Sequence, residues 1–198
     1  MAVRDRQKLI TKIVAEVLGQ PAETNKNFDW FINKHLKEHF GFRFNTIDKI
    51  FNTLNGDCNA SAKKRTVPLD CDAYFGGRYN FIFEFDEFQH FSSARLKTLA
   101  HYPKELKLGF NVNAWENLCG LHEGKANKYR YNKSTIDFNF PGGRTAQRAY
   151  LDCFRDLLPE INGLNPTVRI NEFEVAEIYS NNRDSYKTIE HLLKEKLS

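Results

Sequence analysis

Between Tyr79 and Asp86 the chain alternates strictly: Tyr79, Phe81, Phe83 and Phe85 hold the odd positions, and Asn80, Ile82, Glu84 and Asp86 the even ones. Successive side chains of a strand point to opposite faces, so this period of two puts the aromatic rings on one side of a sheet and both carboxylates on the other. The preceding run VPLDCDAYF reads as a second strand across Phe75-Gly76-Gly77-Arg78, a hairpin signal, and carries Asp70 and Asp72 on a common face. Asp72 and Glu84 share a face only when paired positions add to an even number. A loop of odd length such as Gly76-Gly77-Arg78 gives that register and a two-residue turn does not, so the predicted turn has three residues or a bulge.

Four carboxylates, Asp70, Asp72, Glu84 and Asp86, thus gather at one chain reversal. Like charges on one face repel unless a cation neutralises them, and an all-oxygen ligand set suits Mg²⁺ or Mn²⁺. An amphipathic hairpin with a solvated acidic face fits the same parity equally well. Gln89 and His90 follow directly and carry groups able to orient water or move a proton.

The rest of the chain supplies mostly helices. Ile10, Ile13, Val14, Val17 and Leu18 mark an amphipathic helix over 4–19 that Gly19 closes, and a second is predicted from Phe28 to His39. Thr46 is the predicted cap of a helix from Ile47 to Leu54, and Gly56 to Arg65 reads as a polar connector. Further on come a helix from Ala94 to about Tyr102 capped by Ser92 or Ser93, a strand at LKLGFNVN, and a helical turn at Trp115–Leu118. A helix from Thr145 has Ala149, Tyr150, Cys153, Phe154 and Leu157 inward; a strand at TVRINEFEVAEI and a helix from Arg183 to Leu197 complete the chain. The expected fold class is α/β (α+β), a small mixed β-sheet flanked by helices. At 198 residues the chain suits one domain, with N-terminal helices over 1–56, a core over 62–180 and a C-terminal helix over 183–198. Seventeen phenylalanines imply a core of aromatic plates, and Cys58, Cys71, Cys119 and Cys153, without any CxxC spacing, read as small core residues. No apolar run is long enough to span a membrane, and the opening MAVRDRQKLITKIV lacks a secretory signal pattern, so a cytoplasmic protein is expected.

Asp72, then Glu84-x-Asp86, then Gln89-His90 resembles the PD-(D/E)xK nuclease superfamily, most closely the branch of very-short-patch-repair endonucleases. The likeness covers about residues 66–100, including Arg95 and Leu99 on the following helix. It implies a restriction-endonuclease-like core and Mg²⁺-dependent DNA hydrolysis, with Asp72 and Glu84 as metal ligands. Asp86 stands at the position of the superfamily's lysine and is taken as a further acid of the metal site, and His90 matches the branch's histidine. Glu87 replaces the usual glycine, and a second register, Glu87-Phe-Gln89, is disfavoured because Glu87 would point with Phe85 unless a bulge intervenes.

The formal charge of +4 is unevenly spread. Residues 125–148 hold Lys125, Lys128, Arg130, Lys133, Arg144 and Arg148 against Asp137 alone, interleaved with Tyr129 and Tyr131, while the remaining residues sum to −1. Cations that meet phosphates and rings that stack suit nucleic acid, here double-stranded DNA, with Lys63, Lys64, Arg65 and Arg95 as further candidate contacts. The leading expectation is a metal-dependent endodeoxyribonuclease of restriction or repair type, with a homodimer expected by analogy. The alternative is a non-catalytic nucleic-acid-binding module. A third, a zinc peptidase, rests on the short HxxEH match His35-Leu-Lys-Glu38-His39, and Glu38 is also a candidate extra acid for the nuclease centre.

Overall fold

The computed structural model describes residues 3–198 and is a mixed α/β structure around a small three-stranded sheet. Helices α1 (Val3–Leu18), α2 (Lys37–Phe40), α3 (Phe44–Thr53) and α4 (Cys58–Lys63) precede strands β1 (Ala73–Phe75) and β2 (Phe81–Asp86). Helices α5 (Ser93–Leu99), α6 (Val112–Ala126) and α7 (Gly143–Leu157) then lead to β3 (Asn165–Asn171) and α8 (Arg183–Lys196). The order across the sheet is β1-β2-β3, with β1 antiparallel and β3 parallel to the central β2. No described helix is long and apolar enough to cross a membrane.

Phe81, Phe83 and Phe85 face a core shared with Ile10, Ile13 and Val14 of α1, Val168 and Ile170 of β3, and Ile189 and Leu193 of α8. This is the aromatic face read from the alternation. The opposite face is not solvated, however: every residue of β2 is buried, with Glu84 5% and Asp86 1% exposed. Helix α7 covers that side through a second core in which Ala149, Tyr150, Cys153, Phe154 and Leu157 meet Phe31, Phe40, Phe51 and Phe138. The hairpin keeps the even register, pairing Ala73 with Phe83 and Phe75 with Phe81. Its connection has five residues, 76–80, rather than three, and positive φ at Gly77 and Asn80 turns the chain.

Several expected boundaries move. Phe28–His39 forms no long helix; the backbone of Phe31 and Asn33 bonds to Val67 and Leu69, because both Phe31 and Ile32 must be buried and an extended segment on the hairpin's first arm achieves it. Only Lys37–Phe40 is helical. Thr46 lies inside α3, not at its cap. The polar connector contains α4, whose first turn is capped by the Asp57 side chain accepting from the Ala60 N–H. The expected strand at 106–113 is replaced by a single bridge at Gly109 and by the start of α6, with Asn111 as its cap. Ser92, of the two serines considered, caps α5. Cys71, Cys119 and Cys153 are buried as expected, whereas Cys58 is exposed.

Gly143, at the first turn of α7, touches the chain in a way no other residue could: a Cβ there would lie 1.8 Å from the Phe138 carbonyl oxygen. Gly143→Ala is expected to cost about 3 kcal/mol through overpacking, a fall in Tm of roughly 6–12 °C. Gly120 of α6 has open space around it, so Gly120→Ala is expected to raise stability by about 0.5–1 kcal/mol. Thermal denaturation of the two variants checks both signs.

Candidate active site

The even register places Asp72, one residue before β1, opposite Glu84 on β2. The two are cross-linked through backbone: the Phe85 N–H donates to Asp72 Oδ2 at 2.8 Å, and the Asp72 N–H donates to Glu84 Oε1 at 3.3 Å. They form the floor of a cleft of about 690 Å³ whose other walls carry Glu87, Gln89 and His90, and Arg130, Arg144, Arg148, Asp152 and Arg155.

Helix α7 contributes most of the second wall. Arg144, Arg148, Asp152 and Arg155 recur at helical spacing on the side opposite Ala149, Cys153 and Leu157, so burial of the apolar stripe turns the charged one toward the hairpin. Arg148 Nη1 donates to the Gln89 carbonyl at 3.1 Å, and its guanidinium lies 5.4 Å from the Tyr129 ring centre, with Arg130 at 5.2 Å from the same ring. Arg130, Arg144 and Arg148 form no ion pair with a described residue, leaving three cations turned to one cavity. Burial is the main cause that lowers the pKa of both Arg144 and Arg148; the charge of Arg130 lowers Arg144 further, while at Arg148 the lowering by Arg144 works against Asp152, which favours the charged form.

His90 sits on the short 3-10 turn Phe88–His90, its Nδ1 2.9 Å from Asp152 Oδ2 and 3.6 Å from Asp86 Oδ1. Burial disfavours the imidazolium, but the contact with Asp152 and then the charge of Asp86 outweigh it, and the pKa of His90 is raised. Burial pushes the Asp72 carboxyl up, against the Phe85 hydrogen bond and Arg155. Glu84 is pushed up to about 8, chiefly by burial and further by Asp72. Arg155 Nε lies 2.9 Å from Glu84 Oε1 and opposes this shift, yet its N–H is not aligned as a hydrogen bond, so desolvation prevails.

Not every candidate residue joins the cleft. Asp86 accepts from Arg169 Nη1 at 2.7 Å and from Trp115 Nε1 at 2.8 Å, which commits both oxygens to the interior behind Glu84. Arg95 is 1% exposed and bonded to Asp156 and Tyr102, so its expected place among the DNA contacts gives way to one in the core. Lys64 is likewise buried against Asp137, while Lys63 and Arg65 are exposed outside the cleft. Lys125 covers the Phe88 ring, and Lys128 and Lys133 are exposed beyond the cleft's lining. Glu38 does not line the cleft. The HxxEH match has no helical basis, because His35 precedes the four-residue α2 and its ring nitrogens meet Tyr150 and Asp48. Asp152 and Arg155 were missed by sequence reasoning, although the spacing Arg144, Arg148, Asp152, Arg155 is a polar stripe that could have flagged them.

The raised carboxyls make stability depend on pH with a definite sign. Between 4.5 and about 8 the folded chain keeps on Glu84 a proton that the unfolded chain releases, so stability falls as pH rises through that window. Raised His90 acts in the same direction, its contribution being complete below 6.5 and lost as pH climbs through its folded value. Tm is therefore expected to decline from about pH 5 to about pH 8, with a flatter decline for Glu84→Gln, as read by thermal denaturation across that range.

No known protein family, no curated protein and no solved structure matches the chain.

Proposed function

We propose that the cleft is the active centre of a metal-dependent endodeoxyribonuclease of restriction or repair type, built on a restriction-endonuclease-like core and acting on double-stranded DNA. The observation that carries this reading is the division of one cavity into an acidic floor, Asp72 and Glu84, and a wall of Arg130, Arg144 and Arg148. A phosphodiester needs both: cations for its own charge, and acids that hold a counter-cation against it. Two carboxylates with remaining positions left to water and phosphate oxygens suit Mg²⁺. The raised pKa values of Asp72 and Glu84 fit a pair that a divalent ion would hold in the charged form. Bound there, Mg²⁺ supplies a more acidic water and neutralises charge on the phosphate.

The chain's own groups do the remainder. Arg144 and Arg148 grip backbone phosphates, and Tyr129 beside them offers a ring face to a base or sugar. Asp152 holds His90 through Nδ1, leaving Nε2 to exchange a proton with the attacking water or the departing oxygen. Gln89, which also lines the cleft, helps orient the water. Asp86 supports His90 from behind, at 3.6 Å, in place of the lysine of the superfamily pattern. Arg155, 2.9 Å from Glu84, would have to yield its place there to a cation, and its Nη2 donates independently to the Asp70 carbonyl at 2.8 Å.

A second reading, a nucleic-acid-binding module without catalysis, is favoured by one observation: Arg155 already supplies Glu84 with a counter-charge. Plasmid nicking with Mg²⁺ separates the two. Asp72→Asn and Glu84→Gln are expected to lose activity by at least about 10³-fold and His90→Ala by about 10²-fold, in the range of such groups elsewhere. Asp152→Asn, which removes the charge that raises His90, moves the pH profile's histidine limb to lower pH. Full activity of both carboxylate variants, or no cleavage by the wild type with Mg²⁺ or Mn²⁺, refutes the enzymatic reading.

Binding has its own signature. Arg148→Ala is expected to weaken duplex binding across unrelated sequences and to reduce the slope of log affinity against log salt by about one. Arg95→Lys, altered in the core, is expected to leave that slope unchanged. Fluorescence anisotropy at several salt concentrations reads both.

A further inference from the structure

A second constellation lies outside the cleft, where three elements that are separate in sequence converge. His35 comes from the irregular segment before α2, Asp48 from α3, and Cys58 from the first residue of α4. One ligand atom from each, an imidazole nitrogen, a carboxylate oxygen and the thiol sulfur, lies within 4.8 Å of the other two. Among the described residues this is the one group of three such donors drawn so close together.

The geometry points to a transition-metal site of the Zn²⁺ class, formed by His35 Nε2, an Asp48 oxygen and Cys58 Sγ. Nitrogen and thiolate donors favour Zn²⁺ over Mg²⁺, which takes oxygen ligands, so this site and the cleft call for different ions. His35 Nε2 and Asp48 Oδ1 are 3.2 Å apart, close to the edge of about 3.3 Å that tetrahedral bonds of about 2.0 Å require. Cys58 is exposed at a helix start, so its side chain is free to swing in and complete the third corner, with water at the fourth.

The surroundings are arranged for the imidazole's role. Tyr150 Oη lies 2.7 Å from His35 Nδ1, and the ring stacks on Phe51 at 4.4 Å between centres, so its plane and direction are held before any ion arrives. Coordination through Nε2 places the ring proton on Nδ1, where it is donated to Tyr150 Oη, the outer contact that ligating histidines commonly make. The Cys58 thiol gives up its proton to solvent on binding, so one proton is released for each ion. Asn52 Nδ2, 3.1 Å from Asp48 Oδ2, steadies the carboxylate from its other side. An ion there would tie the segment before α2 to α3 and α4, adding to the contact of His35 with Asp48 and the bond from its backbone N–H to Ser61 Oγ.

Cobalt titration of the full chain tests this, because thiolate-bound Co²⁺ has a sulfur-to-metal charge-transfer band and a tetrahedral site has strong visible absorption. The wild type is expected to take up one equivalent with both signals, and Zn²⁺ to displace it. Cys58→Ser, a change at an exposed side chain, is expected to abolish the charge-transfer band and weaken binding by at least 10-fold; Tyr150→Phe should weaken it by about 10-fold while keeping the band. Asp72→Asn, in the cleft, should leave the cobalt signals unchanged and so keeps this test separate from that of the nuclease reading. Absence of stoichiometric binding, or a charge-transfer band that survives Cys58→Ser, overturns the site.

Discussion

Arg169 of β3 is fully buried, and the arrangement of the sheet, three helices and the cleft depends on how its charge is met. Its guanidinium reaches Asp86 of β2 at 2.7 Å and Asp156 of α7 at 2.8 Å, and Asp152 lies 3.9 Å away. Those acids in turn hold Trp115 of α6, Arg95 of α5 with Tyr102, and His90. A buried ion pair adds little net stability compared with a hydrophobic equivalent, but stripping one partner from it costs about 3–5 kcal/mol. Such a network therefore selects one relative placement of α5, α6 and α7 on the sheet more than it strengthens that placement.

The same network sets the chemistry of the cleft. Asp152 stands at the boundary, bonded to His90 on the cleft side and drawn toward Arg169 on the core side. Its pKa is lowered well below the ordinary carboxylate range because, although burial opposes ionisation, His90 and then Arg169 and Arg95 favour the charged form. The contact of Asp152 Oδ2 with His90 Nδ1, at 2.9 Å, is what keeps His90 oriented. Asp86 spends both oxygens on Arg169 and Trp115, which accounts for its absence from the floor made by Asp72 and Glu84. Interior electrostatics thus divide the four acids near the hairpin into two at the cavity and one in the core, with Asp70 exposed outside.

The local part of this was readable from the residues. The alternation from Tyr79 to Asp86 determined the aromatic face, and an odd-length turn put Asp72 and Glu84 on one face, while the five-residue connection, two longer than the expected turn, is what sets them directly opposite. Helix α7 was readable as an amphipathic element through Ala149, Cys153 and Leu157. What could not be read was its docking. Nothing local indicates that the polar stripe with Asp152 and Arg155 closes on a hairpin some seventy residues earlier, or that Arg95 finds Asp156 and leaves the surface. The failed helix at Phe28–His39 has a similar cause: Phe31 and Ile32 are spaced acceptably for a helix, but tertiary pairing with Val67 and Leu69 uses their backbone in extended form. Charge arithmetic erred likewise, counting Lys64 as a solvent-facing cation when Asp137 neutralises it in the interior.

The central claim is that one cavity holds a phosphodiester between the Asp72–Glu84 floor and the arginines of α7. A crystal structure of the Glu84→Gln chain with a short DNA duplex addresses it most directly, since that change keeps the side chain's shape while removing the carboxylate. The expected result is a backbone phosphate inside the cleft, within hydrogen-bond distance of Arg144 or Arg148 and facing Asp72 and His90. A duplex bound on another face, with the cleft free of phosphate, would contradict it.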